Sequence, residues 1–406
     1  MTGTTTLRIA WRNRRRTALA LAAIGLSVTL VLAYNAMIRA YSDWLLDTVT
    51  GPLLGHVQVH APGWRKDRSV DRTLGHVSRT LQALQRDPEI ASASARLYAP
   101  ALAALGEEGF AVLVVGLDPA AESRPSGLLA GVPTPFGGRR VLLGRQAGEM
   151  IGAREGDTLA LVGQGADGSL ANDLFTVAAL ADTPVDLVNR QGVVMDLAEA
   201  QALFAMPDEA HEIVVHARNP QQLDALVARV ARLPEVAGQE VLDWQRLSPE
   251  MKNLVNLMGV MGLFTLVLVF IAAAAGIANT MLMATFERTH EFGMLLALGT
   301  GPRRIVGMVL AEAVVLGVAG ALIGAAIGVA LVVVTHATGI DYAALTGGGP
   351  NEISSMGLRW TLRFRPTLAP IDVVAAVVAV IVTSLVAAAW PAARAARLQP
   401  ARALRE

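Results

Sequence analysis

Hydrophobic residues in this chain are concentrated in four long runs. A helix needs about 20 mostly apolar residues to cross the roughly 30 Å hydrocarbon core of a bilayer. Each run is long enough, and the only acidic or basic side chains inside them are Glu312 and Asp372. The pattern therefore predicts four transmembrane helices, at residues 17–38, 253–286, 305–335 and 371–390.

The second run is longer than a bilayer requires. Its roughly 34 residues would span about 50 Å as a helix. Part of this helix is therefore expected to project from the membrane as a stalk, together with the residues that follow the first run.

The first run has two interpretations, because five arginines precede it. A signal peptide has an apolar region of about 7 to 15 residues and a small-residue cleavage site. This run is longer, and no clean site follows it, so a retained membrane anchor is favoured.

Basic residues near the helix ends predict the orientation. With a cytoplasmic N-terminus, twelve arginines flank the cytoplasmic ends and six basic residues flank the outer ends. This excess fits the positive-inside rule, so both termini are expected in the cytoplasm. The segments between the helices are then a cytoplasmic N-terminal elbow (1–16), an extracytoplasmic domain with stalk segments (39–252), a cytoplasmic loop (287–304), an outer loop (336–370) and a cytoplasmic tail (391–406).

The extracytoplasmic segment has the patterns of an α+β domain. Strand-like alternation at 56–60 precedes helical spacing at 72–87 and a short apolar strand at 110–117, and a strand, a helix and a strand follow at 212–217, 220–232 and 240–242. This order predicts a split βαβ unit. Gly, Asn and Asp punctuate further strands between its halves, so residues 139–204 are predicted to be an inserted strand-rich lobe.

Composition and motifs offer little catalytic chemistry. The 34 basic and 34 acidic residues cancel, so the chain lacks the net positive charge that is typical of nucleic-acid-binding proteins. Cysteine is absent. The only lysines, Lys66 and Lys252, do not fit a Walker A motif, and neither H-E-x-x-H nor G-x-S-x-G occurs. His56 and His60 lie about 13 Å apart along a strand, which is too far for one metal, so they are interpreted as partly exposed strand histidines. No enzyme, cofactor or metal site is predicted in this chain.

The loop at 287–304 is amphipathic. Glu287 and Glu291 lie one turn apart with Arg288 beside them, while Phe292 and Leu295 belong to an apolar face. Such a helix either docks into a cytoplasmic partner or is an interfacial linker with solvated charges.

Residues 287–299, ERTHEFGMLLALG, resemble the E-R-x-x-E-I-G-x-L-x-A-x-G signature of MacB/FtsX/LolC-type ABC transporter permeases. Similar matches occur at 10–19, at 143–147 with 156–157, and at 390–405. Together with one early helix, a large external domain and three late helices, the resemblance covers essentially the whole chain.

The resemblance implies a permease subunit in a bacterial inner membrane. Two separate cytoplasmic ATPase subunits would bind ATP and Mg, and a second permease copy or a paralogue would complete the transporter. Glu287, Arg288, Glu291, Phe292 and Leu295 would form the ATPase-coupling helix. Its movement would be carried outward, in what is termed mechanotransmission, to an extracytoplasmic domain that contacts the cargo.

Two features lie inside the third run. Glu312 is costly at membrane depth, so it is expected either to pair with another helix or the coupling loop, or to reach the cytoplasmic interface. The family tends to place a glutamate there. Gly320, Gly324 and Gly328 form a stripe that permits close helix packing, between two permeases or between neighbouring helices, unless it only reflects an Ala- and Gly-rich composition.

Three functions are compatible with this resemblance. Release of a lipoprotein or another hydrophobic substrate is preferred, because the strand at 55–60 and the two-lobed external domain resemble that branch. Efflux of a drug or peptide, as in MacB, is the first alternative. An FtsX-like regulator that switches a periplasmic cell-wall hydrolase is the second.

Overall fold

The computed structural model describes residues 14–132, 136–341, 352–355, 358–361 and 363–398. These residues form two compact units. The helical unit contains the described parts of Met1–Asp43, Leu254–Tyr342 and Arg363–Glu406. The sheet unit contains those of Trp44–Asn253 and Ala343–Leu362. The predicted elbow at 1–16 and tail at 391–406 lie partly outside the described residues.

The helices of the described residues vary widely in length. In chain order they are α1 (Arg14–Val49), α2 (Trp64–Asp67), α3 (Val77–Gln85), α4 (Pro119–Glu122), α5 (Arg145–Ile151), α6 (Asp186–Gln191), α7 (Leu197–Leu203), α8 (Leu223–Val230), α9 (Trp244–Leu247), α10 (Pro249–Glu287), α11 (Thr289–Ala297), α12 (Pro302–Thr338) and α13 (Pro370–Ala396).

The strands lie mostly in the sheet unit. In chain order they are β1 (Val57–His60), β2 (Ile90–Leu105), β3 (Glu108–Leu117), β4 (Arg140–Gly144), β5 (Thr158–Gln164), β6 (Leu170–Ala181), β7 (Gly192–Asp196), β8 (Glu212–Ala217), β9 (Glu240–Asp243), β10 (Ile340–Asp341), β11 (Glu352–Ser355), β12 (Leu358–Thr361) and β13 (Arg363–Phe364).

Among the described residues, four helices are long and apolar enough to cross a membrane. They are α1 with the turn that continues it to Leu54, α10, α12 and α13. The prediction of four membrane-spanning helices is therefore confirmed. The 39 residues of α10 correspond to about 58 Å of helix, which exceeds the thickness of a hydrocarbon core.

In the helical unit, α12 packs against both α1 and α13. Gly317 of α12 lies so close to α13 that a Cβ atom there would stand 2.3 Å from the Ser384 hydroxyl. At the start of α13, both carboxylate oxygens of Asp372 accept hydrogen bonds from Arg39 Nη2 of α1, at 3.0 and 2.9 Å. The apolar core between these helices includes Ile24, Val28, Leu32, Ile277, Met281, Ala313, Ala321, Ala376 and Val380.

The sheet unit is built on a nine-stranded sheet with the order β3-β7-β4-β6-β5-β2-β8-β1-β9. Within it, β1, α3 and β2 form the first half of a split βαβ unit, and β8, α8 and β9 form the second half. The four strands lie in the order β2-β8-β1-β9, and every neighbouring pair is antiparallel. The predicted α+β fold class is confirmed.

The strands predicted for the inserted lobe belong to the same sheet. The 16-residue strand β2 makes this possible, because its first half pairs with β8 and its second half with β3 and β5. Side chains of β2 and β3, such as Leu97 and Val112, share one buried core with Val141, Phe175 and Met195. The packing of the lobe therefore starts well before residue 139.

The interpretation of His60 as partly exposed is wrong. Its side chain is fully buried, because β1 lies between β8 and β9 rather than at the sheet edge and the His60 ring packs near Trp64, with 6.2 Å between ring centroids. His56 is half-buried, and its Nδ1 accepts a hydrogen bond from the Ala217 N–H at 3.1 Å. The alternation of apolar residues predicted the strand but not its place in the sheet.

Candidate functional site

A short helix, α11, connects α10 to α12. Arg288 departs from helical geometry with φ −105° and ψ 16°, which separates α10 from α11. At the other end Gly299 has a φ of +86°, which glycine adopts without strain, and its N–H donates to the Leu296 carbonyl at 3.0 Å. Pro302 then begins α12, where its missing N–H costs no helical bond. The chain therefore makes two sharp breaks around nine helical residues.

One face of α11 is packed inside the chain. Phe292 is 1% exposed and belongs to a core cluster with Ile305 and Val309 of α12 and Ala392 of α13. Leu295 is half-buried against the same cluster. These contacts fix α11 on the first turns of α12 and the last turns of α13, and they bury Phe292 within the chain.

Arg288 connects this loop to the interior of α12. Its Nη1 donates to Glu312 Oε2 at 2.9 Å, and its Nε donates to Glu291 Oε2 at 2.8 Å. The guanidinium also lies 4.9 Å from the centre of the Phe292 ring, within cation–π range. Arg288 and Glu312 are 14% and 20% exposed. Glu312 therefore has a partner in the loop, which is one of the alternatives that its depth in the sequence left open.

The opposite face of α11 is exposed. It carries the carboxylates of Glu287 and Glu291 together with His290, Met294 and Leu298. Met294 is 46% exposed and Leu298 is 78% exposed. Sequence analysis did not identify these two residues, although the spacing of 290, 294 and 298 marks one helical face. We refer to Glu287, His290, Glu291, Met294 and Leu298 as the exposed face of α11.

The glycine stripe of α12 packs against α1. A Cβ atom at Gly320 would lie 2.7 Å from Ile24, and one at Gly324 would lie 2.3 Å from the Gly25 carbonyl oxygen. Gly328 lies against Leu32 of α1. The stripe therefore brings two neighbouring helices of one chain together.

Thr29 adds a hydrogen bond to this contact, because its Oγ1 donates to the Gly324 carbonyl oxygen at 3.0 Å. In both helices the residue number rises along the contact, so α1 and α12 run parallel.

A cavity of about 240 Å³ opens between α1 and α10. Its walls are largely apolar, with three polar side chains, Tyr34, Asn35 and Thr265. It lies in the parts of both helices that are apolar enough to cross a membrane. The remaining lining residues are Leu30, Val31, Leu266 and Val269.

The sheet unit contains a buried ionic cluster. Arg96 donates to Glu122 through Nε and Nη2, each at 2.9 Å, and both side chains are fully buried. Burial by itself favours the neutral carboxyl, but the Arg96 guanidinium outweighs it and lowers the pKa of Glu122 to about 2. Glu212 lies 3.9 Å from Arg96 and accepts a hydrogen bond from the Tyr98 hydroxyl at 2.8 Å. Burial raises the pKa of Glu212.

The described residues offer no arrangement for metal chemistry. Among them, no group of three or more His, Asp or Glu side chains is placed to hold a metal ion. The polar clusters found here instead join one structural element to another.

Two family models match this chain. The model of the MacB-like periplasmic core domain matches residues 17–233, which is more than half of the chain. The model of the FtsX-like permease C-terminal domain matches residues 263–400 and so includes α11 and α12.

Individual proteins show the same similarity. The lipoprotein-releasing system transmembrane protein LolC of Neisseria meningitidis is 25% identical over 275 residues, 65% of this chain and 64% of that protein. The macrolide export ATP-binding/permease protein MacB of Rhodopirellula baltica is 30% identical over 124 residues, 29% of this chain and 18% of that protein. The chain thus spans less than two thirds of the length of these relatives. The periplasmic region of MacB from Actinobacillus actinomycetemcomitans aligns with 52% of this chain and 98% of its own, at 13% identity and a TM-score of 0.36.

Proposed function

The chain belongs to the MacB/FtsX/LolC-type ABC transporter permeases, and from this premise we propose that it couples ATP hydrolysis by a separate subunit to work done outside the membrane. The chain is a membrane protein with four candidate spans. In the proposal its spans lie in a bacterial inner membrane with both termini in the cytoplasm. Residues 39–252 then form the extracytoplasmic domain, and α11 is the coupling helix on the cytoplasmic side.

The placement of α11 is the observation that carries the proposal. Its buried face is fixed to α12 and α13, so a force on α11 would act directly on those helices. Its exposed face combines two carboxylates with Met294 and Leu298. Exposed apolar side chains rimmed by charge are typical of protein interaction sites, and Met adapts its shape to a partner surface.

The partner would be an ABC ATPase. The chain has no Walker A lysine, so ATP and Mg would be bound by two cytoplasmic ATPase subunits. A second copy of this chain, or a paralogue, would supply the other permease. Glu287 and Glu291 would face basic groups of the ATPase, while Arg288 would hold the loop to Glu312.

Release of a lipoprotein or another hydrophobic substrate is the favoured transport reaction. The similarity to a LolC protein supports this choice, and so does the apolar cavity between α1 and α10, since acyl chains require an apolar site. Export of a drug or peptide is the second candidate, supported by the match to the MacB-like periplasmic core domain and by the MacB relative.

Purification of the complex from native membranes tests the partner and the substrate. Mass spectrometry should identify an ABC ATPase together with bound lipid or lipoprotein. An ATPase with an efflux adaptor and no lipoprotein would favour the second candidate. A cell-wall hydrolase in place of any cargo would favour a regulator, and the absence of any ATPase would contradict the proposal.

Substitutions on α11 test the coupling surface. Met294→Asp with Leu298→Asp should lower permease-stimulated ATP hydrolysis at least tenfold. The reason is that two apolar side chains of the proposed contact with the ATPase would become charged. Met150→Asp is the matched control, since Met150 is 73% exposed on α5 of the sheet unit. Full stimulation in the α11 variant would show that this face does not contact the ATPase.

A further inference from the structure

The C-terminal end of α1 has an unusual backbone. After Val49 the helix continues as one π-helical turn, Thr50–Leu54. Pro52 lies inside this turn, and its ring cannot fit a regular α-helical path. Gly55 then reverses the chain with a φ of +65°, and its N–H donates to the Thr50 carbonyl at 2.7 Å. The turn is buried at Thr50, Gly51 and Pro52, although helix ends usually expose their last carbonyls to water.

Three basic side chains lie against the carbonyls of this turn. Arg96 Nη1 donates to the Leu53 carbonyl at 2.9 Å, and Arg124 Nη2 reaches the Gly51 carbonyl at 3.3 Å. His216 Nε2 lies 3.0 Å from the carbonyl oxygens of both Thr50 and Gly51. The negative end of a helix dipole is stabilised by nearby cations, so the two arginines match this end of α1 in charge as well as in geometry.

The three side chains come from separate parts of the sheet unit. Arg96 lies on β2, His216 lies on β8, and Arg124 follows α4. Arg96 is itself held by the buried carboxylate of Glu122, whose Oε2 also accepts the Leu128 N–H at 3.1 Å. A fully buried ion pair is weak evidence for stability, so its benefit here is better explained by the precise position that it gives to Arg96.

Tight packing closes the remaining space. A Cβ atom at Gly51 would lie 2.5 Å from the Ser126 carbonyl oxygen, and one at Gly55 would lie 2.4 Å from Val214 of β8. The end of α1 is thus enclosed by hydrogen bonds and by backbone contacts. An element held in this way has little room to rotate or slide on its support.

We propose that Arg96, Arg124 and His216 form a rigid joint that positions the end of α1, residues 44–54, on the sheet of the same unit, so that these last helical turns and the sheet move together. The three residues act through the Thr50–Leu54 backbone and are positioning residues. The proposal deepens the proposed function, since a permease that works through an external domain needs a stiff connection to that domain. The rigidity of the joint does not depend on the ATPase, so it can be measured on this chain by itself.

Spin labels measure the joint in the chain without its ATPase. Because the chain has no cysteine, Asp47→Cys on the last turn of α1 and Glu107→Cys beyond β2, both in the sheet unit, can be labelled specifically in nanodiscs diluted with unlabelled chain. The wild-type background should give a narrow distance distribution. Arg96→Met with Glu122→Gln removes the Leu53 contact together with the carboxylate that pairs with Arg96, and should broaden the distribution at least twofold. An unchanged width would overturn the joint.

Two controls separate loosening from unfolding. A label pair within the sheet unit, Glu107→Cys with Asp224→Cys, should keep its width in every variant. If the double variant unfolds the sheet unit, Arg124→Met tests the joint instead, because the loss of Arg124 leaves no buried acid unpaired. It should also broaden the distance distribution between the label on α1 and the label at Glu107→Cys. Arg124→Lys, which keeps a donor for the Gly51 carbonyl, should restore most of the narrow width, which a general packing defect would not.

A measurement in the complex distinguishes this inference from the proposed function. With the co-purified ATPase, ATP should change the distance between labels at Glu107→Cys of two permease copies. The joint variant should hydrolyse ATP at the normal rate while this change falls at least threefold. If wild-type chains show no ATP-dependent change but the width test succeeds, the joint is correct and the proposed function is wrong.

Discussion

The Arg288 guanidinium and the Glu312 carboxylate form a hydrogen-bonded ion pair, 2.9 Å from Nη1 to Oε2, between the loop after α10 and the interior of α12. The same arginine holds Glu291 of α11 at 2.8 Å. One side chain therefore connects the proposed coupling helix to a candidate membrane span. This pairing also explains how a carboxylate is tolerated within a run that is otherwise apolar.

Glu312→Gln tests this pair. The variant should insert and fold but lower permease-stimulated ATP hydrolysis about tenfold, because losing a charged hydrogen bond costs roughly 1.5–3 kcal/mol. The double variant Arg288→Glu with Glu312→Arg should regain part of the loss, since it keeps one charge of each sign. Stimulation is measured in nanodiscs with the co-purified ATPase.

Arg39→Gln is the matched control for that experiment. It removes an ion pair of similar length, between Arg39 of α1 and Asp372 at the start of α13. Stimulation should stay near the wild-type level in this variant. Equal losses in Glu312→Gln and Arg39→Gln would mean that general helix packing, rather than the loop contact, controls coupling.

Gly324→Ala should weaken the contact between α1 and α12. Its new Cβ would lie 2.3 Å from the Gly25 carbonyl oxygen and 2.8 Å from Val28, so the helices must separate, at a cost of about 1–3 kcal/mol. The measurement is the thermal unfolding midpoint of the detergent-solubilised chain.

The control for this change lies on the same helix. A Cβ at Gly307 would meet nothing within 4 Å, so Gly307→Ala should leave the midpoint unchanged or raise it slightly. A midpoint that falls equally in both variants would contradict the packing role of the stripe and indicate a general effect of alanine in α12.

Phe292→Ala should loosen α11 without touching its exposed face. Removing a buried phenylalanine ring typically costs about 3–5 kcal/mol, and here the lost contacts are those with Ile305, Val309 and Ala392. Backbone amides of α11 should then exchange hydrogen for deuterium faster. Met294→Ala, on the exposed face of the same helix, should leave this exchange nearly unchanged, and equal acceleration in both would show that Phe292 is not the anchor.

The four membrane helices could be predicted from the sequence because hydrophobic length is a local property. The loop helix was predicted as well, but the contacts of its faces were not. Phe292 and Leu295 form one apolar stripe and Met294 with Leu298 forms another, and only the neighbouring ends of α12 and α13 decide which stripe is buried. For Glu312 the sequence left another helix, the coupling loop and the cytoplasmic interface open as alternatives, and it did not single out Arg288, which is 24 residues away.

The sheet unit shows a second limit of prediction from the sequence. Alternation predicted β1, β8 and most strands of the lobe, yet β2 pairs with three different strands along its length. No local pattern reveals such a shared strand, so the inserted lobe was expected to be more separate than it is. The buried pair of Arg96 and Glu122 was missed because charged residues usually face water unless they are paired, and the two residues are 26 positions apart in the sequence.

The sheet unit should lose stability as the pH falls below about 6.5, well before its carboxylates protonate, because it buries neutral histidines. Burial, with neighbouring arginines, lowers the pKa of His56, His60 and His211 below 6.5 and that of His216 to about 3. In the unfolded chain these histidines take up protons near 6.5, whereas the folded chain resists protonation. The stabilisation is therefore complete above about pH 6.5 and is lost as the pH falls, by up to about 1.4 kcal/mol per pH unit for each histidine that stays neutral.

Near-UV circular dichroism of the full chain in detergent, between pH 7.5 and pH 5, measures this loss as a falling unfolding midpoint. The raised pKa of Glu212 acts in the opposite direction, because the folded state then binds a proton more readily, and so it reduces the net slope. His216→Gln should make the midpoint less dependent on pH. A midpoint that does not fall between pH 7.5 and pH 5 would contradict the burial of neutral histidines beside the joint.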